Sequence, residues 1–225
     1  MNEFWLWFNT GTEHILDWNG YDHILYVMAL CVLFSVKEWK KLLILVTAFT
    51  IGHSLTLAVS ALNMFTMKQG IIEVLIPITI LFTCIVNLYY KRFDSAQRAN
   101  RNPENYTFNY ALALVFGFIH GMGFSYLLRS MLWKEESVVF PLLSFNLGLE
   151  LGQLIIVTVM LLFSVFLTRF TRIKKADYVF FISSAVFGIA FLLFVQRLKD
   201  LLYDSFFYTY YLIMFSSFNC FSSKY

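Results

Sequence analysis

Charge is scarce in this chain: of 225 residues only 14% are Asp, Glu, Lys or Arg, where a soluble globular domain carries about a quarter. That scarcity excludes intrinsic disorder and a nucleic-acid-binding surface, both of which need many more charges. Cysteine is scarcer still, with 3 in all. An odd number, with Cys31 and Cys84 inside apolar stretches and Cys220 in the tail, makes no disulfide framework of the kind that staples small secreted domains. The breakers are few too, 10 Gly and 3 Pro. What fills the chain is apolar: 59% of its residues are hydrophobic and 20% aromatic, and the mean hydropathy is +0.67. The class these numbers leave is an all-α polytopic membrane protein in contact with a lipid bilayer. The net charge of +3 adds only that some loops are basic, as on a cytoplasmic membrane face.

About 20 residues without charge cross the roughly 30 Å hydrocarbon layer as a helix. Reading between charged residues predicts a bundle of six transmembrane helices, at about 15–36, 42–64, 71–90, 106–128, 138–168 and 178–196, in one domain over 1–200. The first is long enough only if Asp22 and His23 lie within it. The fifth is continuous only if it carries Glu150 as an internal acid. Residues 1–12 read as an interfacial aromatic segment with Trp5, Trp7 and Phe8 at headgroup depth, and 201–225 as an aromatic and Ser-rich tail of unassigned role. No basic start or small-residue cleavage site marks a removable leader.

Loops 1 (Lys37, Lys40, Lys41), 3 (Lys91, Arg92, Arg98, Arg101) and 5 (Arg169, Arg172, Lys174, Lys175) hold 11 of the 17 Lys and Arg residues. By the positive-inside tendency this predicts both termini on the non-cytoplasmic side. Glu3, Glu13, Asp17 and Asp22 then form an acidic entrance that attracts cations.

An ionisable residue within a span costs about 2.5–3.5 kcal/mol on insertion scales, so it marks function by default. All 4 histidines lie in or beside predicted spans. With a rise of about 1.5 Å per residue, His14, Asp22 and His23 fall at the outer end of the first span. His53 and His120 fall in the outer halves of the second and fourth, at the depth of Asn146 and Glu150 on the fifth. Asn146, Glu150 and Gln153 share one helical face, as do Thr47, Thr50, His53 and Ser54. An Asn19-Gly20 turn would let His14 and His23 point into one cavity. Imidazoles with carboxylates suit a divalent first-row ion, and no Cys or Met accompanies them as a copper(I) site requires. The candidate metal ligands are therefore His14, Asp22, His23, His53, His120 and Glu150, with Glu13, Glu73, Asn146 and Gln153 supporting them. Each has a plainer reading as an interhelical contact, and Gly117-x-x-x-Gly121 and Gly148-x-x-x-Gly152 read as close-packing surfaces.

Six ordered blocks also carry a family resemblance. They are Gly11-Thr12-Glu13-His14-Ile15, Gly20-Tyr21-Asp22-His23-Ile24-Leu25-Tyr26, and Thr47-Ala48-Phe49-Thr50-Ile51-Gly52-His53-Ser54-Leu55-Thr56-Leu57. Glu73-Val74-Leu75-Ile76, Phe116-Gly117-Phe118-Ile119-His120-Gly121-Met122-Gly123-Phe124 and Phe145-Asn146-Leu147-Gly148-Leu149-Glu150-Leu151-Gly152-Gln153 complete the set. Together they resemble the HupE/UreJ family of bacterial inner-membrane proteins. The resemblance implies a six-helix protein linked to hydrogenase and urease accessory functions that carries nickel or cobalt. It places the family's His and acidic positions on His14, Asp22, His23, His53, Glu73, His120 and Glu150. Pro77-Ile78-Thr79 departs from the usual small-and-serine stretch, Ser125 stands where Ala is common, and His14 lies farther from Asp22-His23 than in nickel/cobalt permeases.

Three functions remain open. A permease or delivery protein would capture nickel, cobalt or zinc at the acidic entrance and release it inward, although the inner halves of the helices look almost purely apolar. A membrane-embedded metal-dependent hydrolase would use the same site, with Glu150 or Glu73 as base. A structural metal would brace the helices. A homo-oligomer or a larger membrane complex is compatible with each.

Overall fold

The computed structural model describes residues 2–18, 20–62, 64, 67–92, 105–132, 137–171 and 173–222, with side chains for all of these except 90–92, 105–106, 204–205 and 207–222. The predicted turn residue Asn19, the loop cations Arg98, Arg101 and Arg172, and the last three residues of the tail lie outside the described residues.

Every regular element among these residues is helical: α1 (Glu3–Leu16), α2 (Asp22–Cys31), a 3-10 turn (Val36–Glu38), α3 (Trp39–Ala61), α4 (Gln69–Arg92), α5 (Asn105–Leu132), α6 (Val139–Phe170) and α7 (Lys175–Ser222). Five of them, within Val36–Ala61, Gln69–Tyr89, Thr107–Leu132, Val139–Phe170 and Lys175–Tyr203, are long and apolar enough to cross a membrane. They are apolar on the outside as well as within: Leu192, Phe181 and Leu162 point outward with most of their surface exposed. An apolar surface that wraps a bundle on all sides faces lipid, and the chain is a multi-pass membrane protein.

Local chemistry explains several boundaries. Ser35 and Glu38 form a capping box, the Glu38 carboxylate accepting from the Ser35 backbone N–H at 3.2 Å and from its hydroxyl at 3.1 Å. The box satisfies orphan donors where the chain turns into α3. The ammonium of Lys175, the first residue of α7, donates to the carbonyl of Phe34 in the same region. Lys37, Lys40 and Lys41 at the start of α3 and Lys174 and Lys175 at the start of α7 therefore share one end of the bundle, referred to below as the basic end.

From α3 onward the helices run in alternating directions, and the glycines show how closely they pack. In α3 and α5, Gly117 faces the Phe49 carbonyl and Gly121 the His53 carbonyl. Successive residues of one helix meet successive residues of the other, so the pair is parallel. The pair α1 and α6 is parallel too: Gly148 faces Phe8, Gly152 faces Ile15, and the Thr12 hydroxyl donates to the Gly148 carbonyl at 3.0 Å. Antiparallel α4 and α7 are joined by the Glu73–Arg197 ion pair at 2.9 Å.

The amino-terminal segment differs from its expected place. It is not an interfacial strip of aromatics: α1 lies lengthwise on α6, and Trp7 is 2% exposed. The first predicted span, 15–36, is divided at residues 17–21 into the end of α1 and the whole of α2. The Asn87 side chain donates to the Ala29 carbonyl at 2.7 Å, and His23 lies beside His120, so α2 descends α4 toward the basic end. Since α1 descends α6 the same way, α1 and α2 are consecutive pieces of one path interrupted in the middle. Broken helices of this kind occur at membrane depth where the irregular backbone lines a site.

Candidate metal centre

The break between α1 and α2 sets two histidines side by side. His14 stands in the last turn of α1 and His23 in the first turn of α2, their ring centroids 4.7 Å apart. His53, from the middle of α3, completes a triangle at 5.8 Å from His14 and 5.7 Å from His23. One nitrogen from each of the three lies within 4.8 Å of the others. His53 is 0% and His23 5% exposed. His14 Nε2, His23 Nε2 and both nitrogens of His53 have no hydrogen-bond partner. A buried polar atom without a partner costs about 1–3 kcal/mol; a neutral imidazole has one lone pair, so the three rings offer three lone pairs to one site, shaped for something that accepts them. A first-row divalent ion is such a ligand.

Asp22 supports this set without joining it. Its Oδ1 accepts from the Nδ1–H of His23 at 2.9 Å and from the His23 backbone N–H at 2.8 Å. That fixes the proton on Nδ1, points the Nε2 lone pair into the triangle and raises its basicity, the usual role of a carboxylate behind a metal-binding histidine.

His120, 0% exposed on α5, lies at the edge of the triangle with its ring 5.2 Å from that of His23. Its Nε2 is 3.0 Å from the Thr79 hydroxyl oxygen, and that hydroxyl donates to the Ile76 carbonyl at 2.7 Å. With its only proton so committed, Thr79 can only accept from His120. Nε2 therefore carries the hydrogen, and Nδ1, which has no partner, carries a bare lone pair. Thr79 is a residue that sequence reasoning missed. The signal was its place in an i, i+4, i+8 row with Thr83 and Asn87, all three buried in the charge-free stretch of α4 between Glu73 and Lys91. That row also corrects the expectation that the helices are almost purely apolar beyond the histidines. Thr79→Val should weaken metal binding by about 10–100-fold, the range for losing such a partner. Thr79→Ser, which keeps the oxygen, should restore it in a Co²⁺ titration.

Aromatic rings wall the site. Phe124 covers His14 at 3.9 Å between centroids and stacks on Phe145 at 5.3 Å, while Tyr26 and Phe49 flank His120 at 5.0 and 5.3 Å. These walls exclude water and strengthen electrostatic interactions inside.

The structure places the remaining candidates apart from the triangle. Glu150 accepts from the Thr47 hydroxyl at 2.9 Å, and Gln153 from Thr50 at 2.7 Å, both on the seam between α3 and α6. Glu73 is held by Arg197 and by Gln69 at 3.3 Å. Asn146 is half-buried, its Oδ1 without a partner. Glu3 and Glu13 lie exposed on α1 and Asp17 exposed just after it.

A multi-pass helical membrane protein with buried histidines gathered at a helix break is the class that fold and site define. The family described as HupE / UreJ protein matches residues 1–197. The chain belongs to that family, and membership implies a membrane protein that handles metal. Neither curated proteins nor solved structures give a match to it.

Proposed function

We propose that the protein captures a divalent transition ion, nickel or cobalt by its family, and moves it through the membrane for uptake or delivery. In this reading His14, His23 and His53 hold the ion, with His120 Nδ1 as a fourth donor. The observation that carries it is the group of three imidazoles, His23 and His53 buried and His14 half-buried, with one donor nitrogen from each lying within 4.8 Å of the others. Asp22 and Thr79 turn two of the rings by their hydrogen bonds. The interrupted path of α1 and α2 makes the sixth crossing. The basic end is cytoplasmic in the bacterial inner membrane, the termini are outside, and exposed Glu3 and Glu13 on α1 and Asp17 just after it draw cations toward the break.

Cells producing the protein should accumulate more nickel or cobalt than cells without it, and His23→Ala should remove the difference. Unchanged accumulation in the variant would dismiss transport through this site. A second reading, a zinc-type hydrolase, rests on the three-histidine set with His120 Nδ1 beside it: three protein ligands and an open position are how catalytic zinc is bound. Purified protein that binds zinc yet moves no ion across a liposome membrane would favour that reading.

A further inference from the structure

On the α3–α6 seam, which leads from the histidines toward the basic end, stands an acidic side chain inside α6, Glu150. Its partner Thr47 stands six residues before His53 on α3, about 9 Å nearer the basic end at a helix rise of about 1.5 Å. Thr50 stands between them on α3 and meets Gln153, which on the oppositely running α6 lies about one turn beyond Glu150 toward the basic end.

Glu150 is half-buried, receives the Thr47 hydroxyl at 2.9 Å and has no basic partner among the described residues. A carboxylate within a span is expensive, and it is ordinarily paired or placed on an ion pathway. Here no Lys, Arg or His among the described residues pairs with it. Gln153 supplies an independent sign. It is 0% exposed, and its Nε2 has no partner. Thr50 has one hydroxyl proton and two acceptors in reach, Gln153 Oε1 at 2.7 Å and the Val46 carbonyl at 3.2 Å. When that proton goes to Val46, a half-turn of the Gln153 amide lets Nε2 donate to Thr50 and presents Oε1 to the seam. Nε2 then has a partner, and a carbonyl oxygen is added to the carboxylate and two hydroxyl oxygens already there.

The geometry points to a second cation station on the α3–α6 seam, formed by Glu150 with Thr47, Thr50 and Gln153, that receives a divalent ion from the histidines and passes it toward the basic end. This inference rests on the transport reading. The station is oxygen-rich where the first is all nitrogen. A softer-to-harder sequence of donors lets an ion be captured tightly and still leave.

Purified protein in proteoliposomes tests it, with Co²⁺ as the probe: binding is read from the visible spectrum and uptake from trapped metal. Glu150→Gln should keep the spectrum and affinity of the histidine site and lose uptake by about tenfold or more, while Glu150→Asp keeps uptake. Wild-type uptake by Glu150→Gln overturns the station. So does loss of the histidine-site spectrum in that variant, because Glu150 would then belong to the first site. If Glu150→Gln does not fold, the double variant Thr47→Val, Gln153→Leu carries the test, with lost uptake expected and wild-type uptake overturning. Normal uptake by His53→Ala would instead dismiss transport through the histidines altogether, and so is distinguishable from failure of the station.

Discussion

His53→Ala is expected to abolish stoichiometric binding of Co²⁺ or Ni²⁺ while leaving the fold intact. The imidazole is fully buried and neither of its nitrogens is bonded to protein, so removing it breaks no hydrogen bond in the metal-free chain. It even deletes two unsatisfied polar atoms, each costing about 1–3 kcal/mol, which offsets the cavity left behind. The loss falls on the loaded state. Two histidines remain in the triangle, and affinity should drop by more than the roughly 10–100-fold that follows loss of a supporting partner such as Asp22. Stability reports the same event: an ion present at 100 times its Kd stabilises the folded state by about 2.7 kcal/mol. Wild-type protein should therefore melt at a higher temperature with Co²⁺ than without. The variant should melt at one temperature in both, close to that of metal-free wild type. Asp22→Asn should fall between them. Metal analysis showing a full equivalent bound to purified His53→Ala would refute the assignment of His53 as a ligand.

The helices and the histidines were legible in the sequence because both rest on local signals: long charge-free runs, and ionisable residues set into them. Which polar residues meet was less legible, because depth along a helix says nothing of direction around it. By residue count Glu150 shares the approximate depth of the histidines, and Glu73 opens its span at the outer surface. Yet Glu73 turns to Arg197, 124 positions away, and Glu150 to Thr47, 103 positions away. The role of α1 was hidden for a related reason. Trp5, Trp7 and Phe8 have the composition of a headgroup anchor, and only the tertiary pairing of Gly11 and Gly148 with the facing backbone buries Trp7 on α6. Asp22 sits next to His23 in the chain, so adjacency alone could not decide whether it binds an ion or the imidazole. Thr79 is chemically ordinary, and its meaning arises only where α4 meets His120.

Gly148→Ala should be among the most damaging single changes in the protein, although it adds one methyl group. A Cβ at that position would lie 1.9 Å from the Phe8 carbonyl oxygen, and one at Gly11 would lie 2.0 Å from the Phe145 carbonyl oxygen. The obstructing atoms are backbone, so no side chain can rotate away and the two helices must separate. In a membrane, helix pairing depends on close packing rather than on hydrophobic exclusion, which leaves little to compensate. Overpacking commonly costs about 1–3 kcal/mol, and an immovable backbone neighbour places this case at or above the upper end. Separation would also stretch the Thr12 to Gly148 hydrogen bond and draw His14 out of the triangle. Gly52→Ala meets the same obstacle on the other pair, at 2.0 Å from the Leu114 carbonyl oxygen, one residue from His53. Both variants should therefore lose thermal stability in detergent and metal binding together. Gly188 provides the control: a Cβ there meets nothing within 4 Å. Its replacement by Ala relieves the roughly 0.5–1 kcal/mol that glycine costs in a helix interior, so Gly188→Ala should melt no lower than wild type and bind metal equally well. Gly148→Ala protein that melts like wild type would show that α1 does not pack on α6 at this distance, and would remove the basis for placing His14 in the site.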